Sequence, residues 1–387
     1  MSPSPHTEFN LYGIDLGQTK EFPLRTAMET VNLSGLTCIF VIAGIVAAKS
    51  SVWPPPQSIS LHGEPVALAA DFQAVIAGHG DGGVSNRLER AITRFNALVN
   101  PANTTKARGV RLGGLRRLYI EVSDMSEVMH VTTNYSYTLN VSGEAHAYAT
   151  APSIYGAMYA LETFTQLVDM HEGTFAATSL QVIDSPKYAW RGLLVDTGRR
   201  FAPPWLLENI IDTMSAVKLN VLHLHLSDFC RFGVQSLQFP NLTARLQTGP
   251  NAGFYTHQDV EALVAYAGDR GVRIVPEFEI PGHALGFLPI ASVGGLEFCD
   301  TCAYGPTGDG RGLTCRPSQL WGTEGTATVL KAVLGEMSTL FPDEVFHIGA
   351  DETFVKNGPK ERCTQNTTSF LEKTIIQAVQ HDFKKVC

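Results

Sequence analysis

Two neighbouring carboxylates, Asp351 and Glu352, close the run Val345-Phe346-His347-Ile348-Gly349-Ala350. Val, Phe and Ile favour strands, and Gly349 and Ala350 are small enough to admit something large beside the backbone. Successive strand side chains point to opposite faces, so two adjacent carboxylates serve one ligand only where the chain leaves the pleat. In parallel α/β barrels that is the C-terminal end of a strand, where the chemistry sits. Adjacent carboxylates also repel, which makes one harder to ionise and fits it for proton donation near neutral pH. Taken alone, the pair reads more simply as a solvated acidic turn after a core strand. A second group, His223-Leu-His225-Leu-Ser-Asp228, also has two readings. In a strand His223 and His225 share a face, as metal ligands do, and with Asp228 and His347 they would form a mononuclear metallohydrolase site. They fit hydrogen-bonded residues of a barrel interior as well.

The elements that must position these groups begin near residue 188. Residues 192–196, 220–227, 272–279 and 345–349 read as buried strands, and 203–218, 256–270, 326–340 and 368–384 as helices between and after them. Four β-then-α units in a row imply a parallel sheet with right-handed crossovers. Each strand ends in polar residues: Asp196 and Arg199, then Asp228, then Glu277, Glu279 and His283, then Asp351 and Glu352. Polar groups at the same end of successive parallel strands form an active-site rim. Upstream, residues 85–99 and 154–168 have helical spacing, and 118–122 and 135–141 read as strands. These describe a small α+β domain without a chemical motif of its own. The expected division is a leader over residues 1–50, the small domain over 52–184, and the α/β domain over 188–387.

Composition narrows the function classes. With 44% hydrophobic and 17% charged residues, the 387-residue chain is an ordinary folded protein. Its net charge is −8 and no basic block stands out, which argues against nucleic acid and against a polybasic membrane surface. Among seven cysteines, Cys299 and Cys302 form a C-x-x-C with no second pair or His cluster of zinc-finger spacing. Disulfide use, plain thiols and a metal or redox role all remain open for it. Sequons begin at Asn103, Asn134, Asn140, Asn241 and Asn366, and the apolar run 33–48 has the length of a signal-peptide core. Together they point to the secretory pathway, lysosomal or extracellular. A membrane anchor or a buried helix are the other readings of that run.

Four motifs occur in order: Arg191-Gly-Leu-Leu-Val-Asp196, Asn220-Val-Leu-His-Leu-His-Leu-Ser-Asp228, Pro276-Glu-Phe-Glu-Ile-Pro-Gly-His283 and His347-Ile-Gly-Ala-Asp-Glu352. The set resembles the β-N-acetylhexosaminidases of glycoside hydrolase family 20, and the small domain resembles the non-catalytic domain before their barrel. The resemblance runs from about residue 52 to the C-terminus. It implies a (β/α)8 TIM-type barrel and a retaining exo-hydrolase acting on glycans that end in N-acetylglucosamine or N-acetylgalactosamine, without cofactor or metal. Enzymes of this family depart from the two-carboxylate scheme of most glycosidases because the substrate assists itself: the sugar's acetamido oxygen attacks its own anomeric carbon to form an oxazolinium. By that resemblance Glu352 is the acid that protonates the leaving oxygen and then activates water. Asp351 holds the acetamido N–H, Asp228 and His283 hydrogen-bond behind the acid, and Arg191 grips sugar hydroxyls. Two positions depart from the family pattern. Glu279 stands where relatives usually carry Asp, and Phe229 where many carry a second Asp.

An eight-stranded barrel needs eight βα units, and residues 188–387 supply about four, so the expected architecture is a barrel interrupted after its first half. Open parallel edges favour pairing between copies, which makes a homo-oligomer an expectation. It also keeps a second function class in view: a non-catalytic chain acting as a binding or partner protein.

Overall fold

The computed structural model describes residues 52–77, 83–99, 114–142, 145–171, 174–249, 252–293, 295–298, 320, 322–351 and 385–386. The apolar run 33–48, the C-x-x-C at Cys299 and Cys302, the sequons at Asn103 and Asn366, the helix expected over 368–384 and Glu352 lie outside the described residues. Among the described residues, no helix is long and apolar enough to cross a membrane.

The N-terminal layer is an eight-stranded sheet. Its strands are β1 (Ser58–Leu61), β2 (Val66–Ile76), β3 (Leu115–Asp124), β4 (Tyr137–Val141), β5 (His146–Ser153), β6 (Val168–His171), β7 (Thr174–Ala177) and β8 (Leu180–Asp184), in the order β1-β8-β4-β5-β3-β2-β7-β6. Helices α1 (Asn86–Val99) and α2 (Ile154–Leu167) pack on it. Leu88, Ile92, Phe95 and Val99 recur at helical spacing and form the buried face of α1. Ser153 starts α2 by accepting the Gly156 amide. Phe72, Phe95 and Phe164 meet at the centre of this core with ring centroids 5.5–6.4 Å apart.

The second layer is a curled parallel sheet, half of a barrel. Strands β9 (Gly192–Asp196), β10 (Val221–Ser227) and β11 (Arg273–Phe278) pair in parallel, in the order β11-β10-β9. Beyond β11 comes β12 (Val345–Phe346), joined to it by the parallel bridge Glu277↔His347, and β13 (Lys385–Val386) pairs in parallel with β12. The backbone continues the zip past the ladder: Phe278 N–H donates to the His347 carbonyl at 3.1 Å and Ile280 N–H to that of Ile348 at 3.0 Å. Helices α3 (Pro204–Ala216), α4 (His257–Gly268) and α5 (Glu324–Leu340) follow β9, β10 and β11 and bury their apolar residues in one core with the sheet. The strand expected over residues 345–349 is shorter than its composition implies. Gly349 and Ala350 take φ of +67° and +72°, which turns the chain out of the extended form.

The small domain closes the N-terminal end of this half-barrel. Val221, Val275 and Val345 form the interior floor, and Val131 of the small domain packs against them. Around that plug, Tyr159 Oη donates to the Lys218 carbonyl at 2.9 Å, while Lys218 Nζ donates to Tyr137 Oη and Thr163 Oγ1 at 2.8 Å and lies 3.3 Å from Asp184. Arg90 forks onto Asp269, donating from Nε and Nη2 to its two oxygens at 2.7 Å each. With the floor sealed, the open end is the C-terminal one.

Candidate active site

Above the valine floor the interior-facing positions become titratable. His223 and His225 of β10 share a face, as strand alternation requires, but they take different partners. The lower group is His223, Glu277 and His347: Glu277 Oε2 lies 2.8 Å from His223 Nε2 and Oε1 lies 2.9 Å from His347 Nδ1. The upper group is Asp196, His225 and Glu279. His225 Nδ1 lies 3.0 Å from Asp196 Oδ1, and Nε2 lies 3.5 Å from Glu279 Oε1. The rim follows. Asp228 has a fully buried side chain; its Oδ1 lies 3.2 Å from His283 Nδ1 and its Oδ2 2.8 Å from Arg199. Arg199 also grips Asp196 at 2.6 Å. Asp351 is exposed where β12 has turned out of the sheet.

The electrostatics follow from this stacking. Burial would raise the Glu277 carboxyl, but the ring nitrogens of His223 and His347 against its two oxygens, together with the charges of His347 and His225, hold it far below the usual carboxylate range. Burial likewise opposes a charge on His225, yet Glu279, Asp196 and Glu277 outweigh it and push this imidazole up to about 9. Glu279 goes the other way. Burial and the charges of Asp351 and Glu277 raise its carboxyl against the help of His225. Its Oε2 is buried with no hydrogen-bond partner among the described residues. Burial acts against Asp196 too, but Arg199 and His225 keep it low.

The sequence-derived site residues fare unequally. Asp228 and His283 are brought together from the segments that follow β10 and β11, and Asp351 reaches the same end of the sheet. Glu352 lies outside the described residues. Arg191 does not join them. It precedes β9, so it stands at the sealed N-terminal end, where it donates to the carbonyls of Lys218 and Tyr188 at 2.9 and 2.6 Å and to Tyr159 Oη at 2.6 Å. Its guanidinium lies 5.1 Å from the Tyr135 ring centroid. Arg191 therefore docks the small domain, and the arginine on the rim is Arg199, half-exposed and three residues beyond the end of β9. Strand polarity carried that signal: in a parallel sheet a residue ahead of a strand and one behind it sit a full strand length apart.

The metal alternative resolves into two clusters rather than the one expected. His223, Glu277 and His347, and likewise His225, Glu277 and Glu279, bring their ligand atoms within 4.8 Å of one another. In the first, each oxygen of Glu277 faces a different ring, the pattern of a carboxylate bridging two imidazoles. The second has two carboxylates around one imidazole that they hold as a cation. The grouping of His223, His225, Asp228 and His347 around one centre does not occur, because Glu277 separates His223 and His347 from the other two.

Residues 188–386 match the profile described as "Glycosyl hydrolase family 20, catalytic domain", and residues 52–167 match "beta-acetyl hexosaminidase like". The chain belongs to glycosyl hydrolase family 20. Among curated relatives, it is 33% identical over 343 residues to "Beta-hexosaminidase subunit A2" of Dictyostelium discoideum, covering 86% of this chain and 59% of that one. It is 29% identical over 347 residues to "Beta-hexosaminidase subunit alpha" of Rattus norvegicus, covering 87% and 63%. The chain thus spans about 60% of the length of these family members. Its fold is similar to the Flavobacterium johnsoniae chitobiase (TM-score 0.72, 24% identity, 87% of this chain and 52% of that chain). It is also similar to the GH20 β-N-acetylhexosaminidase from Streptomyces coelicolor A3(2) (TM-score 0.65, 24% identity, 87% and 65%). The family's barrel is the closed form of the curled sheet seen here.

Proposed function

We propose that this family 20 chain carries the acid-bearing half of a β-N-acetylhexosaminidase, a retaining exo-hydrolase of glycans ending in N-acetylglucosamine or N-acetylgalactosamine. The observation that carries the reading is the placement of Asp351 at the same open end as the buried Asp228–His283 pair. On this reading Glu352, next in the chain, protonates the leaving oxygen, and the substrate's own acetamido group closes onto the anomeric carbon. Asp351 accepts the acetamido N–H and steadies the positive charge of the oxazolinium. Asp228 and His283 bear on the acid from behind. Arg199, in place of Arg191, offers its planar donor fork to sugar hydroxyls from the rim.

The test is hydrolysis of fluorogenic N-acetylglucosaminide and N-acetylgalactosaminide by soluble, monodisperse protein beside Glu352→Gln. Loss of the acid should lower kcat by about 10²–10⁴-fold. A folded parent that binds an N-acetylhexosamine and cleaves neither substrate would move the reading to a binding protein. The secretory location is proposed on the sequons and the apolar run 33–48. Of the described sequons, Asn134 and Asn241 are exposed, whereas Asn140 is half-buried in β4. A lysosomal or extracellular destination, and pairing of copies along the β9 edge with its exposed Leu193 and Leu194, belong to the same reading. Glycan mapping and sedimentation test them.

A further inference from the structure

One nitrogen in the interior ladder has two partners. The Gly349 amide donates to His347 Nδ1 at 3.0 Å, and Glu277 Oε1 lies 2.9 Å from the same atom. An imidazole nitrogen carries either a lone pair or a proton. With a lone pair, Nδ1 accepts the Gly349 N–H. With a proton, it donates to Glu277 and the Gly349 amide faces another N–H. The two contacts exclude one another.

Gly349 is also where the chain leaves the sheet toward Asp351. Gly349 and Ala350 are consecutive left-handed residues, and Ala350 has a Cβ that disfavours this form. Such a residue persists only where its surroundings hold it. Glu279, just past the end of β11, backs the turn: a Cβ built on Gly349 would run into its carboxylate, so any larger residue there must displace that side chain as well as adopt a positive φ. The hold on the other side is the bond to His347.

We propose that His347 is a positioning residue: its unprotonated Nδ1 holds the Gly349 amide, and with it the turn that presents Asp351, and it releases that amide to bind Glu277 when protonated.

The groups that bear on this ring come from three elements. Glu277 approaches from β11 and Glu279 from just past its end, His223 from β10 with its ring centroid 4.8 Å from that of His347, and Asp351 from the turn itself. His225 of β10 acts on the same Glu277. The Glu277 hydrogen bond is the largest influence and favours the protonated ring; burial opposes it, and Glu277, Glu279 and Asp351 add their charge. The exchange therefore lies above the ordinary imidazole value of 6.5.

The bond exchange can be read without turnover; the proposal rests on the hexosaminidase reading only for its effect on rate. Ile348-Gly349 is the only Ile-Gly step in the sequence, so carbonyl-¹³C isoleucine with ¹⁵N glycine isolates the Gly349 amide in a carbonyl-filtered NMR spectrum. Titrating from about pH 5 to about pH 9 spans the imidazole range. The Gly349 amide is expected to show one step, with its midpoint above 6.5. Glu277→Gln should move that midpoint to lower pH, because the anion that favours the protonated ring is gone. His347→Asn should keep the amide in its bonded position at every pH, since an asparagine oxygen accepts the amide two residues on and does not titrate. His347→Leu should lose both the bond and the step. In hydrolysis, His347→Asn should keep more of kcat than His347→Leu, by about a hundredfold if the turn is displaced by an ångström. Its pH profile should lack one ionisation of the parent. No step at Gly349 in the folded parent overturns the proposal. So does a step that survives His347→Asn, or one that Glu277→Gln leaves unmoved. A step in a parent that hydrolyses nothing supports the positioning bond and counts against the hexosaminidase reading.

Discussion

Asp343→Ala should come close to unfolding the half-barrel, although Asp343 touches no site residue. Strand β12 has only two ladder residues, so its placement against β11 depends on what holds its ends. At the upper end that is the Glu277↔His347 bridge. At the lower end Arg273 forks onto Asp343 with both bonds at 2.7 Å, and the two side chains are 2% and 6% exposed. Asp343 Oδ1 also accepts the Val345 amide at 2.8 Å. Removing the carboxylate strands a buried guanidinium, a loss of about 3–5 kcal/mol. The orphaned Val345 amide adds about 1 kcal/mol, giving about 4–6 kcal/mol together. Against a total of about 5–15 kcal/mol, that is most of the stability of the domain. Asp343→Asn keeps one acceptor and should lose about half as much. The double variant Arg273→Met with Asp343→Leu should recover most of the loss, because apolar replacement of a buried pair is about neutral. Urea unfolding followed by tryptophan fluorescence suits the measurement, since the Trp190 ring centroid lies 5.8 Å from the Arg273 guanidinium. A loss under about 1 kcal/mol in Asp343→Ala would rule out a buried pair that holds the strand. A double variant no more stable than the single one would rule it out as well.

Three further outcomes follow from the same geometry. The His225 imidazole, raised to about 9, contributes stability that is complete below its ordinary 6.5 and lost as pH rises through 9; the urea midpoint should fall over that window in the parent and fall less in His225→Gln, where His347 alone of the two raised imidazoles still titrates. Burial opposes the Asp269 charge, but the Arg90 bond and the charges of Arg90, Arg87 and Arg94 hold its carboxyl below the ordinary 3.8. Its contribution is therefore present above 3.8 and lost as pH falls below it; Asp269→Asn should blunt the acid limb of the stability profile, and an unchanged limb would remove Asp269 from the domain contact. Arg199→Ala should raise KM for an N-acetylhexosaminide, whereas Arg191→Ala should lower the unfolding midpoint with KM unmoved. The opposite pattern would return the sugar contact to Arg191.

Much of the second layer is legible in the chain. The strands at 192–196, 220–227 and 272–279 and the helices after them lie within one or two residues of where composition and spacing place them. The β-branched and leucine runs of β10 and β11 are buried on both faces, and such runs read as strands wherever they occur; β9, the edge strand, has the same composition with Leu193 and Leu194 exposed. The small domain is less legible. Residues 118–122 and 135–141 read as strands, but β2, β5 and the outer strands carry little signal. They are rich in alanine, serine and threonine, and their alternation is weak.

Side-chain type and strand direction are local properties, so the chain alone announces the polar inventory of the site and the end of the sheet that carries it. Asp228, His283 and Asp351 fall on one rim without any knowledge of distances. Which arginine belongs to that rim depends on packing between distant segments. Arg191 and Arg199 are eight positions apart with a strand between them, and the small domain claims the first through Tyr135 and Tyr159, contacts that no local pattern announces. The same long-range packing separates His223 from His225 by giving them different carboxylates, and sets Glu277 and Gly349 in competition for one nitrogen of His347. Apart from the Gly349 amide, two positions from His347, those pairings join residues far apart in the chain, and they exist because the sheet curls, which is a property of all its strands together.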